Sequence, residues 1–207
     1  MNAALWYLGR GSGVVSLLLL TVVVALGIAT RSGRPLPGLP RFAVATVHRT
    51  ASLTAVVFLG LHITTLVLDP IAQLRWVDVV LPFAGTYRPL WLGLGTLAAD
   101  LIAALVVTSL LRQRIGARVW RLVHWAGYAA WPVALLHGLG TGTDAGTPWL
   151  LTLTVGCVAA VLGALAWRLS PNFAERPGRR PATRPAPPKP GVPRDLTVQL
   201  PSKAGAR

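Results

Sequence analysis

The chain holds four histidines, and their spacing is the first sign of chemistry. They fall in two pairs on two apolar segments: His48 and His62 stand fourteen residues apart, His124 and His137 thirteen. On a helix rising about 1.5 Å per residue, each pair spans roughly 20 Å. The hydrocarbon core of a bilayer is about 30 Å thick. Each helix therefore carries one histidine toward each side of a membrane. Two such helices side by side make two His/His clamps stacked across the bilayer. Neutral imidazole is a good axial ligand for haem iron, and histidine on both faces leaves no position open for oxygen or substrate. Such sites suit electron transfer through a membrane. Zinc or copper is poorly served, because the pairs are too far apart to converge and no thiolate or carboxylate joins them. Taken singly, a histidine in a membrane helix is often just hydrogen-bonded to a neighbour or part of a proton path. The matched depths of all four favour haem.

The elements that must position these rings are membrane spans. Of 207 residues, 53% are hydrophobic and 13% charged, too few charges to coat a soluble domain of this size. One cysteine, Cys157, lies in an apolar run, which excludes an internal disulfide and a CxxC metal site. Five segments are long enough to span: residues 14–30, 42–68, 90–111, 119–139 and 149–169. The second and fourth carry the histidine pairs. The first lacks the basic start and small-residue cleavage site of a signal peptide, and Arg31 and Arg34 follow it as a stop. The expected fold is all-α: a polytopic bundle of about five transmembrane helices.

Basic residues set the orientation. Arg31, Arg34 and Arg41 follow the first span, Arg112, Arg114 and Arg118 the third, and Arg168, Arg176, Arg179, Arg180 and Arg184 the fifth. In the other links, Arg75 and Arg88 are offset by Asp69 and Asp78, and the last holds only Asp144. The N-terminus is thus expected outside and the C-terminus in the cytoplasm, in a plasma or inner membrane. Trp6, Trp91 and Trp149 fall at outer ends, Trp120 and Trp167 at inner ends, as an aromatic belt requires. With this topology His48 pairs by depth with His124 near the cytoplasm, and His62 with His137 near the outside. The link at 69–89 reads as an outer-surface segment over the outer site. Two domains are expected: residues 1–169 bind haem, and residues 170–207 form a disordered, basic, Pro-rich cytoplasmic tail. That tail has no interleaved aromatics for base stacking, so its charge reads as lipid contact and not as nucleic-acid binding.

One spacing resists. Fourteen residues at about 100° each return to within about 40° of the starting face, whereas thirteen miss by about 140°. Pro132 lies between His124 and His137, and a proline kink with local rewinding would bring both to one side. Haem propionates need cations at the interfaces. Arg49 and Arg121, with Arg118, are available inside, and Arg10 and Arg88 outside. Plain topology or headgroup contact is the competing role of each. Asp100 is the acid in mid-helix, either a proton relay during quinol oxidation or a hydrogen-bonded structural residue. Neither the Gly93–Gly95 run nor GLGTGTD follows a strand, which discards a nucleotide site.

WYLGRGSG, VHRTASLTAVVFLGLHI, LPFAGTYRPLWLGLG, TSLLRQRIGARVWRLVHWAGY and LLHGLGTGTD together resemble the ferric reductase-like transmembrane domain family. That family includes ferric reductases, NADPH oxidases and the haem-bearing membrane subunit of the bacterial periplasmic methionine sulfoxide reductase system. The resemblance runs from about Leu5 to Trp167. It implies two b-type haems, on His48/His124 and His62/His137. Many members have six helices where five are expected here, and no FAD- or NADPH-binding domain follows the last. FAD or FMN would then sit only on a partner. The function expected is that of an electron-transfer subunit of a membrane oxidoreductase. Its donor would be quinol or a separate flavoprotein. Its acceptor would be an extracytoplasmic flavin- or molybdenum-bearing reductase, or ferric iron. The alternative is a non-catalytic scaffold or proton-conducting bundle that uses the histidines and Asp100.

Overall fold

The computed structural model describes residues 3–32, 38, 40–70, 72, 74–142, 146–171 and 173. Arg34, Asp144, Arg176, Arg179, Arg180, Arg184 and the expected tail beyond Phe173 lie outside them. The described residues form helices α1 (Ala3–Arg31), α2 (Arg41–Leu68), α3 (Trp76–Val80), α4 (Pro89–Leu110), α5 (Arg112–Trp125), α6 (Gly127–Thr141) and α7 (Pro148–Leu169). Proline opens α4 and α7 at their first turns, where its missing N–H costs nothing. Four helices are long and apolar enough to cross a membrane: Ala4–Arg31, Phe42–Leu68, Pro89–Leu110 and Pro148–Leu169. The chain is an all-α, multi-pass membrane protein.

The span expected at residues 119–139 is not one continuous helix. It is divided between α5 and α6, which meet at Ala126. There the backbone tightens: the Ala126 N–H bonds to the Val123 carbonyl at 2.9 Å, and the Ala129 N–H to the Ala126 carbonyl at 3.0 Å. These are i to i−3 bonds, which advance the chain about 120° per residue instead of 100°. The break thus lies six residues before Pro132, which sits inside α6. Arg168 near the end of α7 pins the junction. Its guanidinium donates to the Tyr128 hydroxyl at 2.8 Å and lies 5.3 Å over the Trp125 ring. Earlier in α5, Gly116 takes φ 79°, ψ 161°, a conformation open to glycine and strained for any other residue, and turns the chain between two helical pieces.

Helix α1 is the hub of the bundle. It packs along α2 most extensively and also against α7 and α6, while α4 packs on α6, α5 and α3. Helix α2 joins the rest mainly through α1. The core between α1, α6 and α7 is built on Trp131, Cys157 and Val161, with Leu17, Leu20 and Val24 packed against them. The Trp131 indole N–H donates to Thr21 Oγ1 at 2.9 Å, and the Thr21 hydroxyl donates to the Leu17 carbonyl at 2.9 Å. Polarity runs opposite to that of a soluble protein. Ser12, Ser16, Thr21, Thr65 and Thr154 are buried, whereas Leu53, Val57, Val107, Val155 and Leu162 are exposed. Small and hydroxyl-bearing residues let helix backbones approach closely, and aliphatic side chains meet lipid.

Replacing Trp131 with alanine should empty this core and cost about 3–5 kcal/mol. Thr21→Val keeps the volume, removes the indole's acceptor, and should cost about 1 kcal/mol. Thermal denaturation of the purified protein in detergent measures both; equal effects would show that the hydrogen bond, not the packing, dominates.

Candidate functional site

All four histidines are half-buried. His62 on α2 and His137 on α6 face each other with ring centroids 6.3 Å apart and planes 80° apart. Each is aimed from behind by backbone. His62 Nδ1 lies 2.6 Å from the Gly9 carbonyl oxygen on α1, and His137 Nδ1 lies 2.8 Å from the Trp91 carbonyl oxygen on α4. A carbonyl only accepts, so in both rings Nδ1 carries the proton and Nε2 keeps its lone pair.

Both contacts use one device. A helical carbonyl already accepts from the N–H four residues on, and it has a second lone pair to offer. The side chain at that later position would stand in the way. Here it is glycine. A Cβ on Gly13, four residues after Gly9, would lie 2.9 Å from His62; one on Gly95, four after Trp91, would lie 2.5 Å from His137. His48 meets the same arrangement one repeat further along α1, with Val23 backbone beside it; a Cβ on Gly27, four later, would lie 3.4 Å from its ring. Gly13 and Gly27 are fourteen residues apart, the spacing of His62 and His48 on the antiparallel α2. The inner device is looser, because His48 Nδ1 is buried without a hydrogen bond of acceptable geometry.

His124 differs. Its Nδ1 is also buried without a partner, and its ring stacks on Trp120 at 4.7 Å between centroids, 26° between planes. It lies within electrostatic range of His48 and Arg31. Among the described residues, no ring contact like that of the outer pair joins His48 to His124. The tightened turn at Ala126 supplies part of the extra rotation that the thirteen-residue step needs for His137 to reach His62.

The cations singled out from sequence take different positions. Arg10 is half-buried over the Trp6 ring, 5.0 Å from its centroid, and next to the Gly9 carbonyl that holds His62. Arg88 begins α4 at φ 41° and donates to the Gly140 carbonyl at 2.9 Å, which ties the start of α4 to the end of α6. Arg49 is exposed on α2 and lines an open hollow with Ala45, Thr46, Thr50 and Leu53. Arg121 is exposed and donates to the Ala117 carbonyl of its own helix at 3.2 Å. At His124 the stacked neighbour Trp120 instead carries Arg112, whose guanidinium lies 4.7 Å over its ring. Asp100 is half-buried in α4, with no hydrogen bond or ion pair among the described residues.

Arg75 and Asp78 form an ion pair in the outer link. Arg75 donates to Asp78 from Nε at 3.1 Å and Nη2 at 2.8 Å, and its backbone N–H adds a third bond at 3.1 Å. Asp78 passes the order on, since its carbonyl accepts from the Thr96 hydroxyl of α4 at 2.7 Å. Phe83, at φ 66°, folds onto Gly93, where any Cβ would collide with it. The hydrogen bonds from Arg75 hold the Asp78 carboxyl below its ordinary range.

Do these residues fit a haem? Two imidazoles on opposite sides of one metal ion, each about 2 Å from it, have centroids about 6 Å apart. The 6.3 Å of His62 and His137 meets that, with both Nε2 lone pairs available. Among the described residues no three His, Cys, Asp or Glu converge. Two ligands per site is what an iron already held in a porphyrin needs. Sequence reading missed the glycine notches, Trp120 and Arg112. A signal for the first existed in the fourteen-residue spacing of Gly13 and Gly27.

A family model described as "Ferric reductase like transmembrane component" matches residues 12–135. The match covers more than half of the chain and includes His48, His62 and His124; it ends two residues before His137. The chain belongs to this family of membrane proteins. Neither the curated proteins nor the solved structures contain a match.

The Arg75–Asp78 pair makes the outer link pH-sensitive in one direction. A carboxyl held below its unfolded value of about 3.9 stabilises fully above that pH and loses its contribution as pH falls through the depressed value. Pepsin cleavage within residues 69–88, followed by mass spectrometry from about pH 5 to pH 2, should rise steeply in the wild type below about pH 4. Asp78→Asn should cleave readily throughout. An identical pH profile for both would remove the pair from this role.

Proposed function

We propose that this member of the ferric reductase-like transmembrane family is a di-haem b cytochrome that passes electrons across the membrane. The observation that carries the reading is the outer pair: two rings opposed at 6.3 Å, each with its proton committed to a carbonyl and its other nitrogen free. His62 and His137 would hold the outer haem, His48 and His124 the inner. A haem with histidine on both faces supplies one-electron transfer with little rearrangement and no open position for substrate.

The chain's residues do the positioning. The Gly9 and Trp91 carbonyls fix the tautomer of the outer rings and raise the basicity of their free nitrogens. Helix α1 packs along α2, so the histidines of α2 reach toward α6 from a fixed base. Fourteen residues set the two levels about 20 Å apart along α2. Arg10, on the outer level beside Gly9, would be a cation for an anionic propionate of the outer haem; Arg88 donates to α6 and Arg121 to its own helix. Asp100 in α4 would be the proton relay if quinol is the donor.

The arginine distribution supports an N-terminus outside and a cytoplasmic C-terminus, with residues 1–169 as the haem-binding unit and 170–207 as a basic tail held near anionic lipid. Electrons would then come from quinol or a separate flavoprotein to the inner level. They would leave at the outer level to an extracytoplasmic reductase or to ferric iron.

Absorption spectra of the purified protein test the reading. A Soret band that shifts on dithionite reduction is expected, and colourless protein would favour the scaffold or proton-conducting alternative. His62→Ala or His137→Ala should halve the haem content, and so should His48→Ala or His124→Ala. The double variant His62→Ala/His137→Ala should lose no more than either single one, whereas His62→Ala/His124→Ala should lose both haems.

The glycine notches predict a graded series in the same spectra. Gly95→Ala, at 2.5 Å from His137, should lose most of the outer haem; Gly13→Ala, at 2.9 Å from His62, should lose less; Gly27→Ala, at 3.4 Å from His48, should lose least. Equal retention in all three would show that close approach at the glycines is not what seats the rings.

A further inference from the structure

We propose that Trp120 is the positioning residue of the inner site, orienting His124 by stacking where the other three histidines back onto a carbonyl-and-glycine notch. The proposal rests on the haem reading above. Trp120 precedes His124 by one helical turn, and the ring centroids are 4.7 Å apart with planes 26° from parallel. Offset stacking at this distance is the favoured geometry for two π systems. His124 needs it, because Nδ1 is buried with no hydrogen-bond partner and no backbone fixes the ring about its own bond to the chain. A stacked face restricts that rotation as a hydrogen bond would, and leaves both ring nitrogens uncommitted.

Trp120 is itself held. Its indole N–H reaches Ser109 Oγ at the end of α4, at 3.3 Å. The Arg112 guanidinium lies 4.7 Å over its ring, a cation–π contact suited to a planar guanidinium at an exposed position. Arg112 is exposed, Trp120 and His124 are half-buried. Arg112, Trp120 and His124 therefore form a stacked run leading inward from the surface. Arg112, Arg114, Arg118 and Arg121 are the charges of α5, and no acid accompanies them.

The test uses the full-length protein in detergent, loaded with haem. Electron paramagnetic resonance of low-spin ferric haem reads the angle between the two axial imidazoles, and potentiometric titration reads the midpoints. In Trp120→Leu, one of two low-spin signals should shift and broaden and one of two midpoints should move, with the other site unchanged. Trp120→Phe, which keeps a stacking face, should restore both wild-type values. Unchanged signals in Trp120→Leu would overturn the proposal, on a wild type that carries two haems. A shift in Trp120→Phe as large as in Trp120→Leu would also overturn it, and so would loss of both signals in Trp120→Leu, which marks a general structural role. A colourless wild type would overturn the haem reading and the proposal with it.

Discussion

An imidazole that is to act through one nitrogen must first be held by the other. Inside a membrane helix bundle the partner at hand is a backbone carbonyl, and every such carbonyl already serves the N–H four residues later. Its second lone pair becomes reachable only where that later residue lacks a side chain. Gly13 behind the Gly9 carbonyl and Gly95 behind the Trp91 carbonyl meet this condition, and Gly27 repeats it beside Val23. The choice of glycine in three apolar helical runs, a destabilising choice for a helix taken alone, follows from how closely the rings approach.

The same constraint accounts for the layout of the bundle. Two notches fourteen residues apart on α1 match two histidines fourteen apart on α2, so α1 and α2 must run antiparallel and in close contact over most of their length. They do so, and this is the most extensive helix pair in the molecule. Helix α2 then needs no broad contact with α6. His62 meets His137 ring to ring, at a spacing that leaves room for a group between the helices. The hydroxyl-bearing residues buried along α1, Ser12, Ser16 and Thr21, let its neighbours approach where side chains of lipid-facing size would keep them apart.

Much of this was legible in the sequence. The histidine spacings, the apolar segments and the all-helical class follow from composition and periodicity, which the long spans of α1, α2, α4 and α7 carry without ambiguity. The division of the fourth span did not follow. Periodicity sees thirteen residues that miss a face, and Pro132 draws attention as the obvious place to mend it. The overwinding occurs at Ala126, beside Gly127, where Arg168 holds Tyr128 and Trp125 from another helix. Gly127 weakens the helix locally, and the contacts from α7 are a tertiary cause that periodicity does not encode. The arginines were visible as residues but not as contacts: a side chain as long as Arg88 or Arg121 has several partners within reach, and the fold chooses among them. Trp120 passed for one more belt aromatic because stacking on His124 needs only the one-turn spacing that any helix offers.

The two levels of the site are built to different standards, and their surroundings explain why. The outer rings are anchored to backbone, and they lie where Arg75, Asp78 and Thr96 order the link and where Arg88 joins α4 to α6. His62 and His137 each have an Nδ1 partner there. At the inner level His48 and His124 keep buried, unanswered Nδ1 atoms. Burying an unpaired polar atom costs more than the bond it forgoes would contribute, so native proteins keep few of them. Two lie at this level, and α5, which carries His124 and turns on Gly116 near its start, holds four arginines and no acid. On the proposed topology this is the side from which electrons arrive. There His124 rests on the Trp120 ring, whereas both outer rings are bonded to backbone.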